Sequence, residues 1–169
     1  MSAHAAFDGR LAVIVLLAAW LGATIIVGAV VAPAAFAVLP SRTLAGAVVG
    51  RVLPALFWSG AVIGVFAAVM ARHSHRMSAF VAALVIAAAS LSAQLIVAPR
   101  IEAVRASVGG PIDGLPRDDA RRLAFGRLHG ASVALLGVAA LAASVTLLLT
   151  ARAAPAAPPL TLRTSHDNG

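Results

Sequence analysis

The sequence predicts an all-α fold: a polytopic membrane protein with four transmembrane helices in an antiparallel bundle and a long hairpin between helices three and four. Three observations carry this. Hydrophobic residues make up 61% of the 169 residues and charged residues 11%, against about 45–50% and about 25% in average globular chains. The apolar residues gather in four runs, at about 11–39, 52–71, 78–98 and 130–151, none of which holds a Lys, Arg, Asp or Glu. Each run reaches the ~20 helical residues that cross a ~30 Å hydrocarbon core. Turn residues and arginines fill the gaps between them. A soluble domain of this size has too little interior for so much apolar side chain. In lipid the backbone must satisfy itself, which selects helices, and barrel strands would be shorter and would alternate polar with apolar.

The elements follow in order. Residues 1–10 read as a short N-terminal tail ending at Arg10. The first helix spans about 11–39. Ala35-Phe36-Ala37 resembles a cleavage site, but the run before it exceeds the ~7–15 residues of a signal core, so the helix is read as retained. Pro33 kinks this helix or marks its end. Pro40 to Arg51 reads as a short turn, with Gly46 and Gly50 opening the second helix at about 52. Arg72-His73-Ser74-His75-Arg76 is a tight basic turn before the third helix, which is expected to continue past Pro99 towards Arg105. Gly109-Gly110-Pro111 and Asp113-Gly114 are turn chemistry. Pro116 suits a first helical turn, and Asp118 and Asp119 suit a helix N-terminus. Helix four is therefore extended from about 116, with Asp118 paired to Arg121 or Arg122. Residues 152–169 read as a disordered tail, Pro-rich and then polar.

Composition also excludes functions. Cysteine is absent, so there is no disulfide and no thiolate site. The net charge is +7 and the isoelectric point about 11.9, but the arginines sit between apolar runs. That pattern flanks membrane spans and is not a phosphate-tracking patch, so no nucleic-acid partner is expected. No nucleophile–base pair, His-Glu-x-x-His, phosphate loop or dinucleotide fingerprint is present, so no enzyme is expected. Heavy Ala use and an all-Arg basic set fit a GC-rich bacterial genome, hence the bacterial inner membrane. With four spans, Arg10, Arg72, Arg76, Arg152 and Arg163 share one side. Arg42, Arg51, Arg100, Arg105, Arg117, Arg121, Arg122 and Arg127 share the other. The excess on the second side places it in the cytoplasm and the termini in the periplasm.

Small residues recur four apart: Ala18 and Gly22, Gly46 and Gly50, Gly60 and Gly64, Gly126 and Gly130. Such spacing lets helices approach closely in lipid. Packing within the bundle is the simpler reading, and a homodimer seam on helix two the alternative. A hairpin turning near Gly110 to Ile112 sets Glu102 opposite Arg121 and Gln94 opposite His129. It also sets Ser90, Ser92, Gln94, His129 and Ser132 near one level, as interhelical hydrogen-bonding glue or as a site. His129, where helix four turns apolar, is structural, a proton relay, or a ligand for haem or copper. His73 and His75 read as an interfacial anchor rather than a metal pair. Trp20 and Trp58 lie mid-span and are expected to pack, against each other or against the bundle.

Several of these residues carry a resemblance. Trp20-Leu21-Gly22, Ala32-Pro33 with Phe36 and Leu39, and Ala45-Gly46 and Gly50 with Phe57 form one set. Pro99-Arg100-Ile101 with Arg105, and Phe125 with Leu128-His129-Gly130 and Ser132, form the other. In order and spacing, over about Leu11 to Thr150, they resemble domain-of-unknown-function family 4149, the group similar to eukaryotic transmembrane protein 205. The resemblance implies a four-helix integral membrane protein without an assigned reaction. It also singles out Pro33, Phe36, Pro99, Arg105, Phe125, His129 and Ser132 as the polar-lined face, while the spacing of small residues marks Gly22, Gly46, Gly50, Gly60, Gly64 and Gly130 as packing positions. An Asn often follows that Ser by a turn in the family, whereas Ala134 to Gly137 hold no polar side chain here. The expected role is structural, scaffold or transport-related, within the lipid bilayer. The alternative is a metal- or haem-binding protein with His129 as ligand.

Overall fold

The computed structural model describes residues 3–152, with side chains from Gly9 onward. The tail expected at 152–169 lies outside the described residues from 153. Six α-helices follow in order: α1 (Ala3–Ile26), α2 (Ala32–Val38), α3 (Arg42–His73), α4 (Met77–Ser92), α5 (Ala98–Val108) and α6 (Ala120–Ala151). Five-residue π-helical turns, Val27–Val31 and Ala93–Val97, join α1 to α2 and α4 to α5. The result is four long apolar rods: Gly9–Val38, Arg42–His73, Met77–Val108 and Ala120–Ala151. The last three have 32 residues each, about 48 Å at 1.5 Å per residue, enough to cross a ~30 Å core and emerge from it. Among the described residues there is no strand. The chain is a multi-pass membrane protein.

Three boundaries differ from the expected ones. The residues before Leu11 are not an irregular tail, because the first helix begins at Ala3. Helix two begins at Arg42 rather than about 52, so Gly46 and Gly50 lie inside it. Ser41 explains this: its hydroxyl accepts the Leu44 amide at 3.2 Å and caps the helix three turns before the apolar run. Helix four begins at Ala120, not about 116. Asp119 is its N-cap, accepting the Arg121 amide at 2.8 Å, while Pro116 only accepts a turn bond from the Asp119 amide. Helix three does continue past Pro99, to Val108. It stops at Gly109, whose φ of +64° suits a residue without Cβ.

The two π turns share one cause. A proline has no amide hydrogen, and its ring collides with the carbonyl four residues back. Pro33 and Pro99 each follow a π turn by two residues, and each sits in a Val-Ala-Pro triplet. Ala32 donates to the Val27 carbonyl and Ala98 to the Ala93 carbonyl, five residues back instead of four. The extra residue absorbs the proline, so neither helix ends there. Pro54 in α3 has no such bulge, and the Gly50 carbonyl loses its helical donor.

The core is built from alanines around Val13, Leu17, Trp20 and Ile86. Leu17 and Ile86 are fully buried and Trp20 nearly so, packed among Ala67, Ala83, Ala139 and Ala143. The Trp20 indole donates to the Leu56 carbonyl at 2.9 Å. Gly60 makes room for it: a Cβ there would stand 2.8 Å from the indole and 2.8 Å from Ser90 Oγ. At Gly64 a Cβ would meet the Ala87 amide nitrogen at 2.7 Å, so α3 and α4 touch backbone to backbone. Trp58 is different. It is 47% exposed on the bundle's outer face, so the two tryptophans do not share the interior. The outer face carries Ile25, Val38, Val62 and Leu141, apolar side chains that a bilayer solvates.

Candidate functional site

Because α1 and α4 run in the same direction, both bulges fall towards the end of the bundle that holds the long loop. Of two groups of polar residues, one lies between the second bulge and that loop, and the other lies within and just before that bulge.

The first group sits near the loop-side ends of α5 and α6. Arg105 projects from α5 and pairs with Glu102 one turn back at 3.1 Å. Its guanidinium lies over the Phe125 ring, 5.5 Å from the centroid. On its other side it rests against Gly50, where a Cβ would be 3.7 Å from Nη1. The glycine that has lost its carbonyl's helical donor to Pro54 is thus the one beside this cation. Phe125 and His129 are four residues apart on α6, and their rings lie parallel, with centroids 6.2 Å apart. Arg105, Phe125 and His129 therefore form one stacked column across α5 and α6. The imidazole end of the column is exposed.

Below it the loop is pinned by other arginines. Arg122 Nη1 donates to the Leu115 carbonyl at 2.6 Å. Asp119 holds Arg121 through Nη2 at 2.9 Å. The Arg121 side chain, then its backbone amide, hold the Asp119 carboxyl at about 2, below the ordinary 3.8. The expected Glu102–Arg121 and Asp118–Arg121 pairs therefore do not form. Glu102 is taken by Arg105 on its own helix, and Arg121 by the N-cap aspartate two residues before it.

The second group lies midway along the third rod, Met77–Val108. Several hydroxyls in these helices satisfy themselves: Thr24, Ser144 and Thr146 donate to the carbonyl four residues back. Ser90 does not. Its hydroxyl is completely buried beside Gly60 and Trp20 and has no hydrogen-bond partner. One turn further along, inside the second π turn, the Gln94 Oε1 is likewise buried and unpartnered. His129 therefore gives Gln94 no hydrogen bond, although the hairpin register had set them opposite. Ser132 is buried on α6.

The sequence-selected residues thus divide. Arg105, Phe125 and His129 come together. Pro99 marks the second bulge and Pro33 the first. Phe36 is 50% exposed on α2, away from the column. Of the packing glycines, Gly60 and Gly64 are close contacts inside the bundle. Gly50 abuts Arg105, but Gly22, Gly46 and Gly130 face open space. The bulges were missed, although the repeated Val-Ala-Pro signalled them. Among the described residues no group of three His, Asp or Glu side chains converges.

The sequence model of one family, described as Domain of unknown function (DUF4149), matches residues 15–108. That stretch contains both bulges, Gln94 and Arg105, and stops before α6. No curated protein and no solved structure matches the chain.

Proposed function

We propose that this chain, which belongs to the DUF4149 family, is a transport-related protein of the bacterial inner membrane. In this reading it admits a small hydrogen-bonding solute to a polar seam at mid-membrane. One observation carries the proposal: the Gln94 Oε1, buried within a proline-linked π turn, has no hydrogen-bond partner. An unmet acceptor in a dry interior costs about 1–3 kcal/mol, a cost that a binding site recovers when its ligand arrives. Two further features support it. Proline-interrupted helices at corresponding positions in two halves of a membrane protein point to a substrate site. Here Val31-Ala32-Pro33 and Val97-Ala98-Pro99 hold such positions. In addition, π turns concentrate where helices bind or bend.

The chemistry of the seam sets the solute class. Gln94 offers a carbonyl oxygen and Ser90 a hydroxyl, with no ionised group at that depth. The solute is a donor-rich molecule, a small amine or polyol. It is bound and passed on without a covalent step. The Arg105–Phe125–His129 column lies on the route between the seam and the loop-side surface, which the arginine distribution assigns to the cytoplasm.

Stopped-flow light scattering on proteoliposomes tests this, with glycerol and methylammonium chloride as the two osmolytes. The expected result is faster volume recovery than in protein-free vesicles for one of them, reduced to background by Gln94→Leu. Recovery equal to that of protein-free vesicles for both would leave a structural or scaffold role.

A further inference from the structure

The opposite end of the bundle carries a second site, independent of the solute seam. A lipid-facing groove of about 320 Å³ runs between α3 and α4, walled by Val65, Val69, Phe80 and Leu84 and closed at its mouth by Arg72 and His73. A smaller recess of about 70 Å³ adjoins it, sharing Arg72 and Phe80 and adding His75 and Arg76. The groove is apolar along its length and basic only at the surface.

The backbone builds that basic head. The α3 helix ends in a turn where Arg76 donates to the Ala71 carbonyl at 3.0 Å and His75 to the Arg72 carbonyl at 3.2 Å. His75 takes the left-handed conformation, with φ of +54°. This closure folds the chain back on the helix end and sets Arg72 and Arg76 around one recess. Among the described residues, no side chain pairs with Arg72, His73, His75 or Arg76. The sequence has no acidic residue between Asp8 and Glu102.

We infer that this is a binding site for an anionic phospholipid of the adjoining leaflet. The phosphate lies in the recess between Arg72 and Arg76, and one acyl chain lies along the groove. Two guanidinium forks match phosphate oxygens. Basic pockets between membrane helices hold anionic headgroups in this way. The length also fits: Val65 to Arg72 spans about 10 Å of helix, the depth of the upper half of an acyl chain. A neutral lipid satisfies the groove but leaves the two cations without a net counter-charge.

Native mass spectrometry of the full chain in neutral detergent tests the site. Phosphatidylglycerol, phosphatidylcholine and inorganic phosphate are titrated separately. The expected result is one phosphatidylglycerol retained in preference to phosphatidylcholine. Arg72→Gln with Arg76→Gln weakens it about tenfold or more, and Val65→Trp, which fills the groove and keeps the charges, weakens it too. Equal retention of the two lipids overturns the proposal in favour of ordinary annular lipid. Inorganic phosphate that displaces phosphatidylglycerol at equal concentration overturns it in favour of a free-anion site. Both outcomes are read on the wild-type protein, so they stand even where a variant folds poorly.

Discussion

Arg10 closes the bundle by reaching from the first helix to the end of the last. Its Nε donates to the Thr150 carbonyl at 3.1 Å, and its Nη2 to the Ala151 carbonyl at 2.9 Å. These are carbonyls that a helix C-terminus leaves without an internal donor, at the negative end of the helix dipole. One side chain thus caps α6 and ties it to α1. Arg10→Ala is expected to cost about 1–2 kcal/mol, seen as a lower unfolding temperature in detergent. Arg10→Lys recovers only part, because a single ammonium replaces a two-point fork. An unchanged unfolding temperature in the alanine variant would mean that lipid or water caps those carbonyls equally well.

The glycines separate into two classes by what a methyl group would meet. Gly64→Ala drives a Cβ to 2.7 Å from the Ala87 nitrogen, a backbone atom that cannot step aside. A cost of about 1–3 kcal/mol is expected, outweighing the ~1 kcal/mol that alanine gains over glycine in a helix. Gly130→Ala meets nothing within 4 Å, so only the gain applies and stability holds or rises. Thermal unfolding of the pair checks the sign of each. A destabilised Gly130→Ala alongside an unaffected Gly64→Ala would place the tight contact in the wrong helix.

Acid should loosen the start of α6 late rather than early. The Asp119 carboxyl is held at about 2 by Arg121, below its ordinary 3.8. Its contribution to the helix cap is therefore fully present above about 3.8 and is lost only as pH falls through about 2. Carboxyl NMR on the labelled protein reads this directly. A titration midpoint near 3.8 would show that the Asp119–Arg121 contact is not maintained.

His129 bears on the metal reading. Its ring stacks on Phe125 of its own helix, and no further His, Asp or Glu pair converges on it among the described residues. Detergent-purified protein is expected to show no Soret band and no stoichiometric copper. A haem or copper signal that disappears in His129→Ala would instead make the imidazole a ligand.

How much of this was legible in the sequence follows from the reach of each signal. The four spans were plain because hydropathy is read one residue at a time and lipid permits only self-satisfied helices. Helix ends were misplaced where a cap lies outside the apolar run, as at Ser41 and Asp119. Pro33 reads as a kink or an end and helix three as running on past Pro99; both helices run on, because a one-residue π insertion relieves each proline. The Arg105–Phe125–His129 column was approached through motif spacing. The partners of Glu102 and Arg121 were not, because an ion pair within one turn outcompetes one across a hairpin. The difference between Gly60 and Gly130 is a matter of which helix lies opposite, and spacing alone does not encode that.

The central claim is that Gln94 is kept at mid-membrane without a structural partner. The most direct measurement is the unfolding temperature of Gln94→Leu against wild type, both without added solute. If the amide has no partner in the empty protein, leucine removes an unmet acceptor from an apolar interior. Stability should then rise by about 1 kcal/mol, roughly 2–4 °C for a chain of this size. A fall of several degrees would contradict the claim, because it would mean that Gln94 already holds the helices together.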